Sequence, residues 1–169
     1  MKLNVGCGTD YREGFINIDG SSTLPKVDKV IDISVESLTA HFKAGEVEFI
    51  LANDIIEHHF HWEAVRIMTD FYNLLAKGGK AEIRVPDASY IINNWRYPME
   101  RKLIMLFGGQ DIPRGKNAEQ DKSRAQFPQY FCHKYGWTQK QMEIELLKIG
   151  FNKVICKRER SNFIAYATK

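Results

Sequence analysis

The sequence predicts an α/β protein with a doubly wound, mostly parallel sheet. Three observations predict it. Short apolar runs rich in β-branched residues each stop at a glycine or an acid, as buried parallel strands do. These runs alternate with segments of helical periodicity until a closing hairpin, the order of a layered α/β sheet. Gly6, Gly8, Asp19, Asp32 and Asn53 all fall at carboxyl ends of predicted strands, where such sheets bind ligands.

Leu3-Asn4-Val5 forms the first strand and ends in Gly6-Cys7-Gly8. Phe15-Ile16-Asn17-Ile18, closed by Asp19, is the second, and residues 29–33 the third. A short helix is expected over residues 35–43, before a fourth strand at 47–52 that leads into Asn53-Asp54. Trp62, Val65, Met68, Tyr72 and Leu75 recur at helical spacing, with Gly78-Gly79 as the stop. Residues 80–85 form the fifth strand, and Asp87 is placed to cap a helix. That helical stretch, 88–106, should break at Pro98. Residues 108–136 read as a long polar connection, a lid or acceptor loop. Thr138 opens a helix carrying Met142, Leu146, Leu147 and Ile149, closed by Gly150. Segments 152–157 and 163–166 are the last strands, around a turn at Glu159-Arg160-Ser161-Asn162.

A chain of 169 residues fits one domain, expected to span 1–169, and can bury a substantial core. With 27% charged and 44% hydrophobic residues it has a globular composition, and no apolar run reaches the length of a membrane span. The first strand begins at once, so no signal peptide is expected. Cys7, Cys132 and Cys156 are odd in number and scattered, as reduced thiols of a cytoplasmic protein are. A net charge of +3 is too small to imply a nucleic-acid partner.

The opening glycines let the backbone approach a ligand closely, and Asp19 at the next strand tip suits the two hydroxyls of a ribose. A dinucleotide is disfavoured. Tyr11 stands where the third glycine of G-x-G-x-x-G belongs, and Asp19 follows Gly8 too closely for a full intervening helix. S-adenosylmethionine (SAM), with a ribose and no pyrophosphate, fits better. The competing reading gives the glycines only a tight turn to make.

The chain resembles the class I SAM-dependent methyltransferases, in particular a compact subgroup. The likeness is carried by LNVGCG…GFINID, ANDIIEHH, LLAKGGKAEIRVPD and HKYGWTQKQMEIELLKIGF, with Phe107-Gly108-Gly109-Gln110. It implies a Rossmann-like sheet of order 3-2-1-4-5-7-6 with strand seven antiparallel. It also implies SAM as cofactor, held by Gly6, Cys7 and Gly8, with Asp19 on the ribose, Asp32 and Ile33 at the adenine and Asn53 near the methionine end. The segment between glycine loop and ribose acid, residues 9–14, is shorter than the helix of typical members.

SAM carries an activated methyl group, so a transferase mainly aligns the acceptor. Glu57, His58 and His133 are the candidate general bases. A structural hydrogen-bonded pair and a packing role are the bland alternatives. No metal site is expected, because consecutive histidines at 58 and 59 diverge and no paired ligand spacing occurs. Arg114, Lys116, Lys122 and Arg124 beside Phe127, Tyr130 and Phe131 could meet single strands or an anionic acceptor, but Glu119 and Asp121 interrupt the run and favour a solvated loop. The expected function is therefore methyl transfer to an O or N nucleophile of a small-molecule or sugar (glycan) acceptor, with neither nucleic acid nor membrane as partner. The alternative is a non-catalytic SAM- or nucleoside-binding partner subunit.

Overall fold

The computed structural model describes residues 1–108 and 118–169; of residues 119, 120 and 123 only the backbone is described. A seven-stranded sheet runs through it: β1 (Lys2–Val5), β2 (Ile16–Asp19), β3 (Lys29–Val30), β4 (Val47–Asn53), β5 (Leu75–Pro86), β6 (Lys153–Glu159) and β7 (Asn162–Thr168). The spatial order is β3-β2-β1-β4-β5-β7-β6. Strands β1 to β5 pair in parallel, and β7 is antiparallel to both β5 and β6. This is the order and the reversed strand that the resemblance implied.

Among the described residues five α-helices accompany the sheet: α1 (His61–Leu74), α2 (Ala88–Asn93), α3 (Met99–Phe107), α4 (Ala118–Gln126) and α5 (Gln139–Ile149). The core lies where α1 and α5 cover the sheet. Ala64, Ile67, Met68, Phe71 and Leu74 of α1 are buried with Leu3, Ile50, Ile83 and Phe163 of the strands and Met142 and Leu146 of α5. Burial of this apolar surface is the main favourable term holding the layers together.

The sequence reading differs from this at several elements. The buried face of α1 is wider than the expected stripe: Met68 is buried and Val65 and Tyr72 pack against the core as read, but Trp62 is 68% exposed, and Ala64, Ile67, Phe71 and Leu74 join the core. That helix stops at Leu74, so Leu75 already belongs to β5 and Gly78-Gly79 lie within the strand. The helix expected over 35–43 shrinks to a 3-10 turn, Leu38–Ala40. The Asp70 carboxylate of α1 accepts hydrogen bonds from Ser37 Oγ and the Leu38 N–H, fixing the turn against the core. Strand β3 ends at Val30 because Asp32 turns the chain, its carboxylate accepting from Ser34 N–H. The caps at Asp87 and Thr138 form as read, receiving N–H groups of Tyr90 and Gln141. Pro98 separates α2 from α3.

Part of the expected lid lies outside the described residues, namely 109–117 with Gly109, Gln110, Arg114 and Lys116, together with the side chain of Glu119. Its described remainder is helical over Ala118–Gln126 and then forms a 3-10 turn, Pro128–Tyr130. Among the described residues no helix is long and apolar enough to cross a membrane.

Candidate functional site

A cleft of about 530 Å³ opens at the carboxyl ends of β1, β2 and β4, within the range of small-molecule sites. Gly6, Cys7, Gly8, Asp19, Asp32, Ile33 and Asn53 all line it, and so do His58 and His133. One cleft thus gathers all the residues singled out for the cofactor. Glu57 stands behind the two histidines, 2% exposed.

The glycine loop is shaped by side chains that replace the missing helix. Asn4 Nδ2 donates to Asn17 Oδ1 at 2.9 Å and to the Asp10 carbonyl at 2.8 Å. Asn17 in turn binds both the N–H and the carbonyl of Arg12, and its Nδ2 donates to Asp28 Oδ2. Both asparagines are buried, so this network is fully committed to holding residues 9–14 against the sheet. Gly6 has φ +68°, and a Cβ there would lie 2.5 Å from Ile55 Cγ1, so only glycine fits. Gly8 has φ +53°, but a Cβ there would meet nothing within 4 Å and would occupy the cleft itself.

Asp19 accepts the Gly8 N–H on Oδ2 and the Ser21 N–H on Oδ1, each at 2.9 Å. Burial raises its pKa, with the loop amides opposing and the charge of Asp32 adding to the rise. Burial also pulls the Asp32 carboxyl upward, but hydrogen bonds from Ser34 and Tyr130 outweigh it and hold the group below its usual value. The Tyr130 hydroxyl reaches Asp32 Oδ2 at 2.6 Å, and burial together with that bond pushes the phenol up to about 12. Tyr130 therefore roofs one end of the cleft.

At the other end, Glu57 and His58 sit in a 3-10 turn, Ile56–His58, directly after β4. His133 faces them from the segment after α4: its Nε2 is 4.0 Å from Glu57 Oε1, and its ring centroid is 4.9 Å from that of His58. The two segments are stitched together. The Lys134 N–H donates to the Glu57 carbonyl at 2.8 Å, and His58 Nδ1 meets the Cys132 carbonyl at 3.1 Å. Burial lowers His58 to about 3, helped by His133 close by, and burial also lowers His133. Burial raises Glu57 well above the usual carboxyl range.

Among the charged lining residues, Arg84 and Lys134 escaped the sequence reading, and Asp54 was read only as the end of the fourth strand. Arg84 Nε donates to Glu159 Oε2 at 2.7 Å and its Nη1 pairs with Asp54, while Asn162 also donates to Asp54. Arg84 was legible in principle, as the charged outward position at the end of a strand whose alternate residues are buried. Arg124 packs its guanidinium 4.8 Å from the Phe131 ring, which ties the described part of the basic run to the cleft wall. Trp137 is fully buried in the core.

The fold recurs in solved structures. A SAM-dependent methyltransferase from Archaeoglobus fulgidus superposes with TM-score 0.66 at 11% identity, covering 99% of this chain and 85% of that one. The fold is that of the class I SAM-dependent methyltransferases. A second methyltransferase, from Mesorhizobium loti, matches with TM-score 0.62 at 12% identity over 99% of this chain and 90% of its own. The 1,6-didemethyltoxoflavin-N1-methyltransferase of Burkholderia thailandensis, solved with S-adenosylhomocysteine, matches at 12% identity with TM-score 0.58, over 99% of this chain and 70% of that one. No protein-family profile matches the chain. Over 83 residues, 49% of its length, it is 34% identical to autophagy-related protein 2 of Cryptococcus neoformans, but it spans only 4% of that protein. Within this methyltransferase fold, the cleft lies where the topology places ligands, outside the carboxyl ends of the strands.

Proposed function

We propose that this protein is a SAM-dependent methyltransferase acting on an O or N nucleophile of a small-molecule or sugar acceptor. One observation carries the reading: in a methyltransferase fold, a glycine loop and a strand-tip carboxylate, Gly8 and Asp19, are joined at 2.9 Å in a cleft of nucleoside size. The residues fit the cofactor. Gly8 leaves open space where a side chain would intrude, and Asn53 Oδ1 at the same edge is a buried acceptor without a partner among the described residues. When bound, SAM supplies a methyl group already activated on a sulfonium.

The protein's own part is to hold and align. Each Asp19 oxygen accepts one loop amide and keeps lone-pair capacity for a ribose hydroxyl. Tyr130 covers one end and limits water entry. Alignment of an acceptor beside the cofactor can supply several kcal/mol of the barrier, up to roughly 7–11 in well-oriented cases. His58 and His133 face the cleft on the acceptor side, with the Glu57 carboxyl behind them.

Titration calorimetry of the purified chain with SAM and S-adenosylhomocysteine tests the reading. Asp19→Asn keeps an acceptor oxygen, whereas Asp19→Ala would leave the Gly8 and Ser21 amides without one, so the two variants are measured together. Micromolar binding that weakens at least about tenfold in Asp19→Asn supports it, the size of one charge-assisted hydrogen bond. Absence of binding of both ligands by the wild-type chain defeats it.

A further inference from the structure

Glu57, His58 and His133 each present a ligand-type atom to a common point, and these atoms all lie within 4.8 Å of one another. Glu57 is 2% exposed, and both its carboxyl oxygens are buried with no hydrogen-bond partner among the described residues. A buried carboxyl with no partner is costly, and a folded protein retains few such groups without a use for them. A carbonyl can only accept, so the His58 ring donates its Nδ1–H to Cys132 O at 3.1 Å. That bond leaves the Nε2 lone pair free, the arrangement found for metal-ligating histidines. The backbone fixes the third member: the His133 N–H donates to the Phe107 carbonyl at 2.9 Å. The absence of a side chain at Gly108 makes room for the ring, since a Cβ there would overlap it.

We propose that Glu57, His58 and His133 form a binding site for one divalent transition-metal ion of the zinc, cobalt or manganese type, open toward the cleft. Two imidazoles and a carboxylate are the donor set of catalytic rather than structural sites, which keep a coordination position free. Ligands about 2.0–2.2 Å from a tetrahedral ion stand about 3.4 Å from each other. The 4.0 Å between His133 Nε2 and Glu57 Oε1, and separations of up to 4.8 Å within the cluster, close on an ion by contractions of about 0.6–1.4 Å. His58 and His133 line the cleft, so the free position faces it. The ion would orient and acidify an acceptor hydroxyl, whose proton passes to solvent. That use rests on the methyltransferase reading, whereas the site itself does not. Both neighbouring histidines, His58 and His59, line the cleft. The fold uses one of them, adds the carboxyl beside it, and brings the third ligand from the far side of α4.

The test is titration of chelator-stripped protein with Co²⁺, followed by visible absorption, and with Zn²⁺ by calorimetry. Wild type should bind one ion per chain. Glu57→Gln and His133→Gln should each weaken it at least about tenfold, while His41→Ala, whose ring pairs with Glu36, should leave it unchanged. Far-ultraviolet circular dichroism of each metal-free variant reports whether it folds, and His58→Ala stands in for any that does not. Lack of stoichiometric binding by wild type, or equal binding by the folded cluster variants, overturns the proposal. Titration with S-adenosylhomocysteine separates the two readings: metal without nucleoside keeps the site and defeats the methyltransferase function, and nucleoside without metal does the reverse.

Discussion

The Tyr130 hydroxyl and the Asp32 carboxylate, 98 residues apart in the chain, are joined by a 2.6 Å hydrogen bond at the cleft. Through this bond the segment after α4 is fastened to the tip of β3, and the Tyr130 ring comes to rest over Gly20. Removing it tests the roof. Tyr130→Phe should cost about 1 kcal/mol at neutral pH, a charge-assisted bond discounted for partial exposure. The folded Asp32 pKa is depressed, so this stability is present above the unfolded carboxyl pKa and is lost as pH falls through the folded value. Urea midpoints of the two proteins should differ by a constant amount above about pH 5 and converge below about pH 4. A gap that widened in acid would refute the assignment.

The two glycines of the opening loop should behave differently. Gly6→Ala forces a Cβ to 2.5–2.8 Å from the Ile55 side chain at a φ of +68°, and should destabilise the fold by about 2–4 kcal/mol. Gly8→Ala meets no protein atom within 4 Å, so only the backbone preference is lost, about 1 kcal/mol. Its effect should appear in S-adenosylhomocysteine affinity instead. Thermal melts and calorimetry on the pair would check this, and equal stability losses would contradict it.

Burial raises Cys7 to about 12, the nearby Asp19 charge adding to the effect, and burial raises Cys156 to about 11. The thiolate is the reactive form, so folding should slow alkylation at pH 8 by roughly 10³-fold at Cys7 and roughly 10²-fold at Cys156. Peptide mass spectrometry after iodoacetamide, native against urea-unfolded, measures both. Native Cys7 reacting at the unfolded rate would show that it is not the packed thiol described here.

What could be read along the chain was what local chemistry and periodicity dictate. The strand runs from Leu3, Ile16 and Val47 are apolar because both faces of a central parallel strand are covered, and each ends at a ligand-type residue for that reason. The positions of Gly6, Gly8, Asp19, Asp32 and Asn53 on one edge followed from those endings. Where local signals compete with tertiary contacts, the reading slipped. On α1 the core also takes Ala64, Ile67 and Phe71 and leaves the amphipathic Trp62 at the surface, and residues 35–43 gave up most of a helix to a turn whose Ser37 Oγ and Leu38 N–H donate to Asp70.

The sequence by itself determined the layered α/β architecture and the glycine loop at the carboxyl edge of the sheet, because short-range periodicity and backbone freedom at glycine are properties of neighbouring residues. Only the tertiary structure decided what faces that loop. It set Tyr130 on Asp32, ran Arg84 between Asp54 and Glu159, and closed His133 on the Glu57-His58 turn. Such contacts join segments far apart in the chain, and their geometry is fixed by packing that no local pattern encodes.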